Sequence, residues 1–293
     1  MKENLDLSIV VLNYNTSDLL NDALESIVLT VGDLTVDVTV IDNASTDGGF
    51  SRVDAVYKND ARFRFIENKE NIGWAMVNMM LETRGKYVLT LDPDAMLHKG
   101  AMQALMAFMD ATPDAGGATA KLLNKDGSLQ FYYRRIMTPL YFFFTTIIGR
   151  VIDKYMLGLR YFKRYRYDSI DMTRVTEIEQ PAIPCFIWRR AAVGAYIIDP
   201  ELGFQFTDVD MCKRLYDNGY KVYLVPEAVV THLKSTSYSR RGDAWRRRMY
   251  NHAIKIYFRK HYSNFYPLFL ILFSFDRTLR ALFRYSIGRE PAQ

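Results

Sequence analysis

The sequence predicts an α/β fold: a mostly parallel central sheet flanked by helices, with amphipathic helices at the C-terminal end. Three observations carry this expectation. Over residues 1–120, short apolar runs rich in β-formers alternate with stretches of helical periodicity, the order that builds βαβ units. Three of the strand-like runs end in polar clusters, Asn13-Tyr14-Asn15, Asp42-Asn43 and Asp92-Pro93-Asp94, and open sheets bind ligands at that end of their strands. No uninterrupted apolar run approaches the ~20 residues that a spanning helix needs.

Taken in order, Ser8–Leu12 reads as the first strand. Thr16, Ser17 and Asp18 are cap-type residues before a helix with Leu19, Leu20, Ala23, Leu24 and Ile27 at helical spacing. Val36–Ile41 is the second strand and runs into the turn-rich loop Asp42–Gly49. Phe63–Ile66 is a short third strand, followed by Asn68–Gly73 and a helix over roughly Trp74–Thr83. Tyr87–Leu91 is the fourth, Gly100–Ala111 a Met-rich helix and Gly117–Lys121 a fifth strand. Further on, regular structure is expected to resume at Pro184–Arg190, and a helix over Met211–Asn218 is ended by Gly219. Two short extended pieces, Tyr220–Val225 and Val229–His232, lie either side of Pro226.

The first turn, Asn13-Tyr14-Asn15-Thr16, lacks the glycines with which a dinucleotide-binding domain admits a pyrophosphate, and there is no Walker A loop. A nucleotide here needs a metal and side chains to hold its phosphates. Asp92 and Asp94 fit that need. They stand two apart where Pro93 ends strand pairing, so their side chains point the same way. Two such carboxylates are costly unless neutralised, and a hard divalent ion, Mg²⁺ or Mn²⁺, is the natural partner. On its own, Asp-Pro-Asp also reads as an acidic turn.

Composition is that of an ordinary globular chain of 293 residues, 49% hydrophobic and 24% charged. Cys185 and Cys212 are too few and too far apart for a disulfide scaffold or a zinc site, and read as buried reduced thiols. The net charge of +5 conceals an asymmetry: residues 131–166 carry +7 and residues 239–293 carry +9, leaving −11 for the rest. An acidic body with two basic, aromatic-rich segments suggests a neutral or cation-binding core and a surface that meets something anionic.

Six motifs occur in order: Val10–Asn15, Val40–Asp47, Asn71-Ile72-Gly73, Leu91–Asp94, Phe206–Asp210 and Thr231-His232. Together they resemble glycosyltransferase family 2, especially its rhamnosyltransferase-like members with the GT-A fold, over about residues 7–235. The resemblance implies a metal held by Asp92, Asp94 and His232, bridging the diphosphate of a UDP- or dTDP-linked donor. It implies Asp42 accepting from a uracil or thymine base, Tyr14 beside that base, and Asn13, Asn15, Asn71, Gly73, Asn78, Asp92 and Trp188 around the substrate. Asp208 would be the base of an inverting transfer, with Asp210 its rival or its support. Each has a structural alternative: an Asx turn for Asp42, a rim aromatic for Tyr14, a helix cap for Asp208, a structural donor for His232. Two departures stand out. Thr207 occupies a position where the family usually has Glu, and Met76 and Val77 replace two glycines of close relatives.

These expectations divide the chain into a catalytic domain, 1–235, with a basic aromatic insertion at 131–175, and a helical region, 236–293. Arg277, Arg280 and Arg284 share one helix face; with Arg246-Arg247-Arg248 and the apolar run Tyr266–Phe273 they suggest an interface with anionic lipid. Packing on the body or in a homodimer ranks next; no nucleic-acid partner is expected. Met1–Asp6 leads straight into the first strand, so no signal peptide is expected and the protein is placed in the cytoplasm, peripheral on the inner face of the membrane. The resulting expectation is transfer of a rhamnose-like deoxyhexose to a polyprenyl-diphosphate-linked glycan in bacterial cell-surface polysaccharide synthesis. A nucleotidyltransferase with a similar metal site and a non-catalytic membrane-associated scaffold are the alternatives.

Overall fold

Runs such as Leu7–Asn13 and Tyr87–Leu91 are buried at every position, as strands covered on both faces must be. The computed structural model describes residues 5–74, 78, 83–167, 170–194, 196–234 and 242–286. Its first half runs β1 (Leu7–Asn13), α1 (Ser17–Thr30), β2 (Val36–Asp42), α2 (Phe50–Tyr57), β3 (Phe63–Glu67), β4 (Tyr87–Leu91), β5 (Ala95–Leu97), α3 (Ala101–Ala111) and β6 (Ala115–Leu123). The segment expected as an insertion, 131–175, follows with β7 (Tyr133–Arg134), α4 (Pro139–Thr145), α5 (Ile147–Ile152) and α6 (Tyr161–Tyr165). Then come β8 (Thr176–Glu177), β9 (Gln180–Pro181), β10 (Cys185–Arg189), α7 (Arg190–Val193), α8 (Thr207–Asp217), β11 (Lys221–His232), α9 (Asp243–His261) and α10 (Tyr266–Ser286).

Among the described residues a nine-stranded sheet runs in the order β3-β2-β1-β4-β10-β6-β11-β5, with β8 also on β11. Strands β1 to β4 are parallel, as expected; β10 is inserted antiparallel between β4 and β6. Helices α1 and α3 cover one core around Leu24, Met102 and Leu105, and α7 and α8 cover another around Trp188 and Phe186. Cys185 and Cys212 are free and buried, in keeping with the thiol expectation.

Three local differences have physical reasons. Helix α2 escapes the pattern because Phe50 and Val53 are its only buried side chains. The extended pieces around Pro226 are one strand, whose register shifts between Val225 and Val229 and so accommodates the missing N–H. The expected helix at 74–83 lies outside the described residues, apart from Trp74, Asn78 and Thr83, and so do Met76 and Val77.

The insertion and the C-terminal helices share a third core: Phe142 and Tyr165 pack with Phe206, Val209, Tyr257, Phe258 and Phe269. Phe258 and Phe269 stack at 4.3 Å, and such a pair adds ~1 kcal/mol beyond its buried area. No helix among the described residues is long and apolar enough to cross a membrane.

Candidate active site

Pairing of β5 with β11 places His232 opposite Ala95, the residue after Asp94. That register carries a histidine from the far end of the chain to the Asp-Pro-Asp turn. One ligand atom each of Asp92, Asp94 and His232 can be chosen so that all lie within 4.8 Å of one another, and His232 Nε2 stands 3.5 Å from Asp94 Oδ1. Among the described residues, buried Asp92 Oδ1 has no hydrogen-bond partner. Burial, with Asp94 adding to it, pushes the Asp92 carboxyl well above the usual range. An orphaned oxygen, a neighbouring carboxylate and an imidazole form a donor set that suits a hard divalent ion.

Behind the histidine lies Gln130, buried and unremarkable in sequence. Its Oε1 is 3.0 Å from His232 Nδ1 and its Nε2 donates to the His232 carbonyl. With Nδ1–H donating to Gln130, the Nε2 lone pair faces the carboxylates, the tautomer a metal ligand requires. Burial lowers the His232 pKa, which favours the neutral ring.

A cleft of about 430 Å³ opens at this edge. Tyr14, Asn71, Gly73, Asp92, Asp94, Asp208 and His232 line it, with Trp74, Phe204, Trp245 and Tyr132 as aromatic walls. Seven site residues of the sequence reading are therefore brought together. Asp42 and Asn13 lie beneath rather than on the cleft wall. Asp42 accepts from Asn13 Nδ2 at 2.7 Å and from the Ser45 backbone N–H at 2.8 Å, an Asx turn that ties β1 to the loop after β2. Asn15 takes φ 53° and accepts the Thr46 N–H. The cleft-facing residue of that strand end is Asn43. It donates to Asn71 Oδ1 (2.9 Å) and the Gly73 carbonyl (3.1 Å) and accepts from Ile72 N–H (3.2 Å). Gly73 itself, at φ 70°, lies so close to the Gly203 carbonyl that a Cβ would come within 2.5 Å of it.

Asn78 and Trp188 are placed elsewhere. Asn78 clamps the backbone of Ile197 and Ile198, and Trp188 is a fully buried residue of β10, its indole N–H on Thr90 Oγ1.

Phe206, ahead of α8, sits at φ 61°, held by Tyr250 and Tyr257 rings. This left-handed residue turns the chain into the helix with Asp208 in the first turn, on the cleft wall. Gln180 Nε2 donates to Asp208 Oδ2 at 2.8 Å. Burial raises the Asp208 carboxyl above its usual value, partly offset by Gln180; an acid shifted this way is the better proton acceptor near neutral pH. Asp210 is different. Its oxygens meet His261 (2.7 Å), Lys260 (2.7 Å) and Arg214 (2.8 Å), with no exposure. Burial alone would raise it, but the bonds from His261 and Lys260 and the Arg214 charge win and hold it at about 2. It fastens α8 to α9, outside the cleft lining.

The fold is of the GT-A class. Residues 8–177 match the profile of Glycosyl transferase family 2, and the chain belongs to that family. Solved structures agree at the level of fold. The chain superposes on GalNAc-T7 with UDP, GalNAc and Mn²⁺ at TM-score 0.57 and 14% identity, covering 80% of this chain and 44% of that one. On residues 1–349 of TarS from S. aureus the TM-score is 0.53 at 17% identity, covering 89% and 74%; the same protein bound to UDP gives 0.53, over 90% and 75%. An N-acetylglucosaminyltransferase from Azorhizobium caulinodans is 24% identical over 200 residues, 67% of this chain and 45% of that protein. The chain thus spans less than half the length of the curated relative it matches.

Proposed function

We propose that the protein is an inverting glycosyltransferase that moves a hexosyl unit from a UDP- or dTDP-sugar to an acceptor hydroxyl. One observation carries the reading: Asp92, Asp94 and His232 meet at the same cleft that has Asp208 in its wall. Asp92, Asp94 and His232 would hold Mg²⁺ or Mn²⁺, with Gln130 fixing the imidazole. When bound, such an ion supplies positive charge to a departing diphosphate. Asn43 shapes the Asn71–Gly73 loop on the nucleoside side. The aromatic walls exclude water. Asp208 takes the proton of the attacking hydroxyl.

The motif set favours a rhamnose-like deoxyhexose as the donor sugar. A second reading, an N-acetylhexosamine, is favoured by the curated relative's name and by the GalNAc in the GalNAc-T7 structure. The acceptor is a lipid-linked glycan met at the inner surface of the membrane. Exposed Tyr155, Met156, Leu268 and Ile271 on the helical half support that placement.

The test is calorimetry of UDP- and dTDP-sugars with and without Mn²⁺, followed by product analysis. Metal-dependent binding of a nucleotide-sugar, and its turnover with inversion at the anomeric carbon, are expected. Pyrophosphate release from a nucleoside triphosphate would point to the nucleotidyltransferase alternative. Metal-independent binding without turnover would point to a scaffold.

A further inference from the structure

A second cavity, of about 590 Å³, adjoins the cleft, and among the described residues Asp208 alone lines both. Six arginines face it: Arg134 from β7, Arg150 from α5, Arg166 after α6, Arg247 from α9, and Arg277 and Arg280 from α10. Among the lining residues two carboxylates, Asp208 and Asp276, stand against these six arginines. Asp276 is already committed. It accepts from Ile147 N–H at 2.8 Å and Arg280 Nε at 2.6 Å. Among the described residues Arg134, Arg166 and Arg247 form no ion pair. Arg150 lies 3.9 Å from the Phe162 ring centroid, and burial together with the charges of Arg280 and Arg166 lowers its pKa, as expected where like charges crowd.

Such an excess beside Phe142, Phe162 and Phe273 is costly unless an anion joins it. Guanidinium forks match phosphate oxygens two at a time. The β7–β9 ladder pairs Arg134 with Gln180, the residue that holds Asp208, so the basic pocket and the base are tied through two adjoining residues.

We propose that this pocket is an acceptor-side subsite for a phosphate or diphosphate borne by the acceptor, set so that the acceptor hydroxyl falls at Asp208. The proposal rests on the transferase reading above. In the step it serves, the hydroxyl oxygen bonds to the anomeric carbon, the bond from that carbon to the diphosphate breaks, the proton passes to Asp208, and the nucleoside diphosphate leaves. The phosphate could sit on a lipid or on a soluble glycan. The helices that turn Arg150 and Arg277 inward also carry exposed Ile148, Val151, Ile271 and Phe275.

The experiment is calorimetry of inorganic pyrophosphate against the full chain with a chelator present. The wild type is expected to bind. Arg166→Gln with Arg247→Gln should weaken binding at least about tenfold, while Arg166→Lys with Arg247→Lys retains part of it. Mn²⁺-dependent UDP binding should be unchanged in both. Pyrophosphate binding that is absent in the wild type, or equal in wild type and the glutamine variant, overturns the subsite. Loss of UDP binding with pyrophosphate binding intact overturns the donor reading instead. Phosphatidylcholine vesicles with and without a polyprenyl diphosphate distinguish the sources. Recruitment of the wild type but not the glutamine variant to the doped vesicles assigns the phosphate to a lipid. Binding of soluble pyrophosphate without recruitment assigns it to a soluble acceptor.

Discussion

At the carboxyl edge of the sheet, Asp92 and Asp94 crowd together with an oxygen that no described residue satisfies. Across Asp208, the helical half gathers six arginines against two carboxylates. The two regions hold surpluses of opposite sign, and neither neutralises the other. The ion cluster just behind them shows what self-sufficiency looks like: Asp210 meets Arg214, Lys260 and His261 and is fully covered. Charges that serve the fold are matched inside it. Charges that serve a ligand are left for the ligand to match.

The largest effects should come from the wall the two regions share. Asp208→Asn keeps the shape and removes the base, so turnover should fall about a thousandfold, measured as nucleoside diphosphate release. Because burial raises Asp208 from 3.8, the acidic limb of the wild-type pH–rate profile should lie above that value. Near-normal turnover in Asp208→Asn would break the comparison at its centre.

Next in size is the matched cluster. Asp210→Ala removes a fully buried carboxylate from Arg214, Lys260 and His261, which reach solvent only in part, and should cost about 3 kcal/mol in denaturant unfolding. The sign with pH follows from a folded pKa of about 2 against 3.8. The stabilisation is fully present above about pH 4 and is lost as pH falls through about 2, a change of about 2 kcal/mol. A variant as stable as wild type would mean that Asp210 is not the structural anion described.

Much of the donor half was legible in sequence, and for a reason. Its strands are covered on both faces, so they appear as unbroken apolar runs, and Pro93 marks where one ends. The Asp92, Asp94 and His232 set was legible as a motif, but the register that joins it, His232 against Ala95, is a long-range pairing that no local pattern encodes. Gln130 and Asn43 were missed because an amide declares its role only through its partners. The helical half was less legible. Helix α10 carries apolar residues nearly all round, so its buried stripe (Phe269, Phe273) could not be told from its exposed one (Leu268, Ile271, Phe275). Two arginines of the face expected to meet lipid, Arg277 and Arg280, line the second cavity.

Gln130 sharpens the acidic side. Gln130→Ala leaves Asp92, Asp94 and His232 in place but frees the imidazole, so Mn²⁺ affinity should drop about 10–100-fold. Electron paramagnetic resonance titration of free Mn²⁺ reads this without any turnover. An unchanged affinity would mean that the histidine needs no orienting partner or does not hold the ion.

The smallest effect on the fold should come from the outer face of α10, where it tests whether the helical half has an inward role only. Ile271 is 67% exposed, so Ile271→Asp should change stability by no more than about 0.5 kcal/mol. If that stripe meets a membrane, the same change removes a side chain whose burial is worth about 2 kcal/mol and adds a charge that anionic lipid repels. Binding to vesicles of phosphatidylcholine and phosphatidylglycerol should then weaken by at least about tenfold, with pyrophosphate binding at the arginine pocket untouched. Equal vesicle binding by variant and wild type would remove the outward apolar face from the membrane reading and leave the arginine pocket as the helical half's only ligand-directed feature.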